Sequence, residues 1–169
     1  MPLITQYARA KKLQYFFSDV PKDASILEIG CADGWVGEYL KANGWQHYRG
    51  MDLFPPADIV GDILKWQQLG IAPASYDVIV AFEVVEHVDC FAACYNILKP
   101  GGRMMMTTPV PHWDWLLKIM ESCGLNQRRT SPHNQLTYLR QVSQFPQREV
   151  KIVGGLSQWA IFTKPQIGS

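Results

Sequence analysis

The stretch that decides the fold is residues 26–37, which read ILEIGCADGWVG. The short apolar run Ser25–Gly30 ends in glycine and is typical of a buried strand. Residues Gly34–Ala42 then have apolar side chains at helical spacing, and Asn43-Gly44 is a helix-end signal. Small residues in the turn let a ligand approach the backbone, and the following helix points free N–H groups at it. The stretch therefore predicts a strand–turn–helix that holds a ligand.

Strand and helix signals alternate along the rest of the chain. The further predicted strands are His47–Leu53, Ala57–Ile63, Tyr76–Glu83 and Arg103–Thr108, followed by a hairpin of Glu149–Gly154 and Gln158–Lys164. The further predicted helices are residues 3–18, Val88–Leu98, Trp113–Cys123 and Asn134–Phe145. This alternation predicts an α/β fold, with a mainly parallel sheet covered by helices on both faces and an antiparallel strand near one edge. Ligands of such sheets bind outside the carboxyl ends of the strands.

Composition excludes several classes of protein. The chain has 169 residues, 47% of them hydrophobic, and a net charge of +1, so no global field favours nucleic acid or a membrane surface. Its apolar runs are strand-length and its N-terminus does not resemble a signal peptide, so we expect a cytoplasmic protein with no membrane span.

The four cysteines form no C-x-x-C pair. His87, Cys90 and Cys94 share a helical spacing, but buried free cysteines are common, so we expect no metal.

Acidic residues follow the strands at positions typical of a nucleoside site. The dinucleotide fingerprint G-x-G-x-x-G fits only with its first glycine replaced by Ala32, whereas the frame acidic-x-Gly-x-(Gly/Ala)-x-Gly fits from Glu28 to Gly34. Asp52 lies about 20 residues downstream, where a carboxylate accepts hydrogen bonds from ribose hydroxyls. Asp62 suits an adenine amine, although it equally suits a helix cap. The pattern predicts a nucleoside cofactor.

Five segments occur together in a familiar order and spacing: ILEIGCADG, MDL, GDI, YDVIVAFEVVEHV and LKPGGRMMMTTP. In these segments the chain resembles class I S-adenosylmethionine-dependent methyltransferases. It is most similar to the small-molecule, ubiquinone-biosynthesis-like (type 11) branch, in which E-x-x-E-H follows the fourth strand. The resemblance covers about residues 24–110 and is weaker through the final hairpin. It implies a Rossmann-like, doubly wound, seven-stranded sheet of order 3-2-1-4-5-7-6 with strand 7 antiparallel.

The resemblance also implies which residues hold S-adenosylmethionine. The turn would line its methionine part, Glu28 would orient the turn, and the acids and apolar residues after later strands would hold the nucleoside and sulfonium. These cofactor-binding residues are Glu28, Gly30, Cys31, Ala32, Gly34, Asp52, Leu53, Asp62, Ile63, Phe82 and Glu83. The departure from the pattern is Ala32, where glycine is frequent.

The acceptor side is less defined by sequence. His87 follows the fourth strand and is the first candidate for a general base, which is needed only if the nucleophile arrives protonated. His112 follows the fifth strand and is the second catalytic candidate. Glu86, Trp113 and His133 are candidates for substrate contact. Each has an ordinary alternative: helix capping for His87, a surface loop for His112, packing for Trp113 and helix entry for His133.

We expect one methyltransferase domain, 1–169, that acts on a small-molecule acceptor and leaves S-adenosylhomocysteine. Residues 1–22 would be an N-terminal helical segment, 23–110 the cofactor-binding half, and 111–169 the acceptor side with the terminal hairpin. The sequence does not decide whether the protein forms a homodimer or whether a partner chain completes a lid over the site. Two rival classes remain: a non-catalytic cofactor-binding module, and an NAD-binding domain, which would want glycine where the chain has Ala32 or Trp35.

Overall fold

The structure is a computed structural model that describes residues 3–110 and 139–166. Its α-helices in those ranges are α1 (Leu3–Phe17), α2 (Trp35–Ala42) and α3 (Phe91–Ile97). The strands are β1 (Ile26–Ile29), β2 (Tyr48–Asp52), β3 (Ile59–Val60), β4 (Tyr76–Phe82), β5 (Leu98–Pro109), β6 (Gln147–Val153) and β7 (Ser157–Thr163). Two single 3₁₀ turns lie at Ile63–Lys65 and Leu139–Gln141.

The seven strands form one sheet in the order β3-β2-β1-β4-β5-β7-β6. Strands β1 to β5 are parallel to one another, and β7 runs antiparallel to both β5 and β6. The strand order, the antiparallel strand and the terminal hairpin expected from the sequence are confirmed. Because β1 lies in the middle of the parallel part, the turn that follows it opens at the centre of the sheet.

Apolar side chains cover both faces of the sheet. On one face, α3 packs with the 3₁₀ turns, and on the other α1 and α2 pack together. All four residues of β1 are buried. The centre of β5 holds three consecutive methionines, Met104, Met105 and Met106, each 0% exposed. Helices on both faces are therefore confirmed, and no described helix is long and apolar enough to cross a membrane.

Several element boundaries differ from the sequence expectation. The helix after β4 begins at Phe91 rather than Val88, and β5 begins at Leu98 because that residue pairs with Tyr76. The helix expected over Asn134–Phe145 is wrong in its described part, which holds one 3₁₀ turn and then irregular chain to Phe145. Pro146 follows Phe145 and disfavours helical backbone there. The helix expected over Trp113–Cys123 lies outside the described residues.

Candidate functional site

The five parallel strands end at one side of the sheet, which we refer to as the carboxyl edge. This edge gathers the candidate residues that follow the first four strands: the turn Gly30–Gly34 after β1, Asp52 at the end of β2, Asp62 after β3, and Phe82 and Glu83 at the end of β4. Thr107 and Thr108, near the end of β5, lie at the same edge and were not among the candidates from the sequence. Residues far apart in the sequence are thereby brought together because parallel strands share a direction.

The turn after β1 has an unusual backbone. Three of its five residues, Gly30, Ala32 and Gly34, have φ of 72°, 43° and 75°. A Cβ on Gly30 would lie 2.6 Å from Cγ2 of Val84, so only glycine fits there. Gly34 has open space around it and begins α2 without a side-chain cap. The first N–H groups of α2 are therefore left without intrahelical partners beside an open turn.

Asp52 fastens this turn to the end of β2. Its Oδ2 accepts a hydrogen bond from the Ala32 N–H at 3.0 Å, and its Oδ1 accepts one from the Phe54 N–H at 3.3 Å. Each carboxylate oxygen has a second lone pair, so the side chain retains capacity to accept hydroxyl hydrogens. Leu53 and Phe54 beside it are 60% and 72% exposed, and they offer apolar surface at the same edge.

Glu28 lies beneath the turn rather than in it. The side chain is only 3% exposed and accepts a hydrogen bond from the Tyr48 hydroxyl. Burial raises its pKa to about 8, and the nearby charges of Asp33 and Asp52 add to that rise. Burial, together with the charges of Glu28 and Asp52, likewise raises the pKa of the Cys31 thiol to about 11. Both groups therefore favour their protonated, neutral forms, and they support the turn from below.

The residues after β3 contribute differently from one another. Asp62 caps the 3₁₀ turn, because its Oδ1 accepts a hydrogen bond from the Leu64 N–H at 2.9 Å. Ile63 is buried in the core, so its side chain does not line the edge and only its backbone is placed there. The capping alternative raised for Asp62 is thus present, and it occupies one carboxylate oxygen.

Glu83 stands in a polar cluster at the end of β4. It has a left-handed φ of 57°, and its Oε1 accepts hydrogen bonds from the Thr107 hydroxyl at 2.7 Å and the Lys12 ammonium at 2.9 Å. Next to it, the buried Glu86 accepts a hydrogen bond from the Thr108 hydroxyl at 3.0 Å. Burial, with the Glu83 charge second, raises the pKa of Glu86 to about 7.

Two cations from α1 reach this edge, and sequence reasoning missed both. Arg9 pairs with Asp33 at 3.1 Å, and its guanidinium lies 4.6 Å from the centre of the Trp35 ring. That ring stacks on Phe82 with centroids 6.2 Å apart. Lys12 pairs with Glu83, as described above. The only sequence signal was the three-residue spacing of Arg9 and Lys12, which places them on one helical face.

The acceptor-side candidates are placed only in part. His87 is half-buried in the turn after β4, where its backbone N–H donates to the Val84 carbonyl at 2.9 Å. His112, Trp113 and His133 lie outside the described residues. Among the described residues, no group of three or more His, Cys, Asp or Glu side chains is arranged to hold a metal ion.

Comparisons with known proteins identify relatives of the chain. A family model described as a methyltransferase domain matches residues 4–148. The ubiquinone biosynthesis O-methyltransferase of Xylella fastidiosa strain 9a5c is 31% identical in an alignment 116 residues long, and this alignment covers 57% of this chain and 47% of that protein. The enzyme of the same name from Burkholderia cenocepacia is 33% identical in an alignment 101 residues long, which covers 48% of this chain and 43% of that protein. The chain thus spans less than half the length of these relatives.

Solved structures show the same fold at low identity. A SAM-dependent methyltransferase from Archaeoglobus fulgidus has a TM-score of 0.68 at 13% identity and covers 94% of each chain. Phosphoethanolamine N-methyltransferase 2 of Haemonchus contortus, solved with S-adenosyl-L-methionine, has a TM-score of 0.66 at 15% identity over 95% of this chain and 53% of that one. Since the family model spans most of the residues and the sheet order agrees with the expected one, the chain belongs to the methyltransferase-domain family, with the fold of class I S-adenosylmethionine-dependent enzymes.

Proposed function

We propose that the chain binds S-adenosylmethionine at the carboxyl edge and transfers its methyl group to an oxygen, nitrogen or carbon nucleophile of a small molecule. The observation that carries this proposal is the left-handed turn after β1, held by Asp52 through the Ala32 N–H. Family membership supports the same activity. The names of the relatives support it too, because they include O- and N-methyltransferases.

The residues at this edge fit such a cofactor. Val84 fills the space beside Gly30, whereas a Cβ on Gly34 would meet nothing within 4 Å, so the turn leaves room for a ligand at Gly34. Asp52 has acceptor capacity for the ribose hydroxyls, and the exposed side chains of Leu53 and Phe54 offer apolar cover for an adenine ring. When bound, the cofactor supplies a methyl group already activated by a positively charged sulfur. The remaining cofactor assignments, including Phe82 and Glu83 near that sulfur, belong to this proposal.

The chain's own task is then positioning. In-line transfer needs the nucleophile held close to the methyl carbon, which rigid side chains at the ends of β4 and β5 can provide. Glu86 is fixed by the Thr108 hydroxyl and lies beside Glu83. We assign Glu86 to acceptor contact, and His87 to proton removal for acceptors that arrive protonated. His112, Trp113 and His133 complete the proposed acceptor side.

Binding experiments test the cofactor. Isothermal calorimetry and thermal unfolding with S-adenosylmethionine, S-adenosylhomocysteine and NAD should show binding and stabilisation by the first two only. Stabilisation by NAD alone would overturn the proposal in favour of the NAD-binding rival.

A panel of hydroxyl-bearing and amine acceptors, read by mass spectrometry, then tests turnover. Tight cofactor binding without any methylated product would favour a non-catalytic module.

We further propose that residues 1–169 act as one domain in the cytoplasm, without a nucleic-acid partner. The three buried cysteines of the described residues, Cys31, Cys90 and Cys94, are free thiols, as expected in a reducing compartment. Size-exclusion chromatography with light scattering distinguishes a 19.2 kDa monomer from the homodimer that the sequence left open. Addition of duplex DNA or RNA at physiological salt should leave the elution volume unchanged.

A further inference from the structure

Lys12 reaches from α1 into the cluster at the end of β4. Its ammonium donates to Glu83 Oε1 at 2.9 Å and to the Thr107 hydroxyl at 3.1 Å. The Thr107 hydroxyl in turn donates to the same Glu83 oxygen at 2.7 Å. The ammonium also lies 5.5 Å from the centre of the Phe82 ring, and the Lys12 side chain is only 17% exposed. These contacts fix a positive charge at the carboxyl edge.

The charges of this cluster act on one another. The Glu83 carboxylate raises the pKa of Glu86, while the Lys12 ammonium lowers it, and both effects are smaller than that of burial. Lys12 is therefore within electrostatic reach of both acids. Thr107 holds Glu83 independently of Lys12, so the carboxylate keeps one hydrogen bond if the ammonium is removed.

We propose that Lys12 is a positioning residue that limits how strongly Glu83 favours a cationic cofactor over its neutral product. This inference rests on the proposed function, in which Glu83 lies beside the sulfonium. In the transfer, the nucleophile forms a bond to the methyl carbon, the carbon–sulfur bond breaks, and its electron pair remains on sulfur as a neutral thioether. A bare carboxylate attracts the positively charged sulfur of the cofactor, and this attraction is lost when the sulfur of the product becomes neutral. An ammonium on that carboxylate reduces the difference.

Such a balance has a kinetic use. Stabilising the positive sulfur before the reaction deepens the ground state, and this attraction is lost as the charge disappears in the transition state. A carboxylate that is paired with an ammonium can still orient the cofactor, but it stabilises the ground state less. The cation comes from α1, 71 residues before its partner, so the N-terminal helix contributes to the chemistry as well as to packing.

The test is the ratio of the affinities for S-adenosylmethionine and S-adenosylhomocysteine, measured by calorimetry on the full chain. Lys12→Met should raise this ratio about three- to tenfold, because removing a nearby unit charge changes binding by that order. Lys12→Gln provides a second neutral variant. Lys12→Arg should retain the parent ratio, since it retains the charge. Glu83→Gln should lower the ratio.

Lys11→Met is the matched control, because it makes the same charge change one residue away on an exposed side chain near Tyr7. It should leave the ratio unchanged. A purely structural role for Lys12 would weaken both ligands equally, and that unchanged ratio would overturn the inference while leaving the proposed function intact. If the parent chain binds neither ligand, the proposed function fails, and the inference fails with it.

Discussion

Ala32 has a backbone conformation that L-residues other than glycine adopt at a cost. Its φ is 43°, and left-handed backbone costs a residue with a Cβ about 1–2 kcal/mol. Ala32→Gly removes that cost but adds about 0.4–1 kcal/mol of unfolded-state freedom. We expect a net stabilisation of about 0.5–1 kcal/mol in urea unfolding.

Ala74→Gly is the matched control, because Ala74 also has a positive φ, of 49°, and is exposed outside the carboxyl edge. Both variants should gain stability to a similar extent. A loss of stability in Ala32→Gly alone would show that the methyl group of Ala32 makes a contact worth more than the backbone strain.

Asp52 should be the acid most sensitive to substitution in cofactor binding. Asp52→Ala removes the proposed ribose acceptor and the bond to the Ala32 N–H, so we expect affinity for S-adenosylhomocysteine to fall by about 1.5–3 kcal/mol. Asp58→Ala is the control, because Asp58 also accepts a backbone hydrogen bond, from the Gly50 N–H at 2.8 Å. Equal affinities of the two variants in calorimetry would remove Asp52 from the site.

The local sequence pattern predicted the site residues that directly follow strands, but not the site residues that come from the distant helix α1. Gly30, Asp52 and Glu83 come directly after or at the end of apolar runs, so their gathering at one edge follows from parallel pairing. Arg9 and Lys12 carry no such marker, because their place depends on how α1 crosses the sheet. The burial of Ile63 was missed for the same reason: packing of the 3₁₀ turn decides it.

At the scale of elements, the contact between α2 and β2 depends on a glycine. A Cβ on Gly37 would lie 2.5 Å from Cε1 of Tyr48, whose ring is buried and whose hydroxyl bonds Glu28. Replacing glycine by alanine inside an exposed helix normally stabilises the helix by about 1 kcal/mol. Overpacking should outweigh this gain, so we expect Gly37→Ala to lose about 1–3 kcal/mol of unfolding free energy.

Urea unfolding followed by circular dichroism measures this change. Glu38→Ala, at the next and exposed position of α2, isolates the effect of helix propensity and should be neutral or slightly stabilising. Stabilisation of Gly37→Ala by about 1 kcal/mol, as at an open helical site, would show that β2 and α2 can separate without cost.

Element type was easier to predict than element ends. The strands β1, β4 and β7 were expected from their apolar runs, since burial in a central strand demands such residues. The extension of β5 back to Leu98 was not, because it depends on a bulged register with β4. The helix expected to reach Phe145 had suitable apolar spacing, but Pro146 and the fully buried Phe145 favour an irregular approach to β6.

For the whole molecule, two buried acids make stability depend on pH. The folded-state pKa of Glu28 is raised to about 8 and that of Glu86 to about 7, from an ordinary value of 4.5. Above pH 4.5 the unfolded chain releases protons that the folded chain keeps. The free energy of unfolding should therefore fall as pH rises from about 4.5 to 8, by several kcal/mol if both shifts act.

Glu28→Gln should flatten this fall, because glutamine keeps an acceptor for Tyr48 but does not ionise. Urea unfolding at intervals between pH 4.5 and 8 measures the slope. The exposed Glu38→Gln should retain the parent slope. A Glu28→Gln profile as steep as the parent's would mean that Glu28 ionises normally within the fold.

Oxidation of the three consecutive methionines of β5 would report how often the sheet opens. Met104, Met105 and Met106 point alternately to the two faces and have no exposed surface, so peroxide reaches their sulfurs only when the sheet opens. Each oxidation converts an apolar thioether into a polar sulfoxide that cannot return to the core without cost. The rate at which peptide mapping finds sulfoxide at these positions would therefore report how often the centre of the molecule opens.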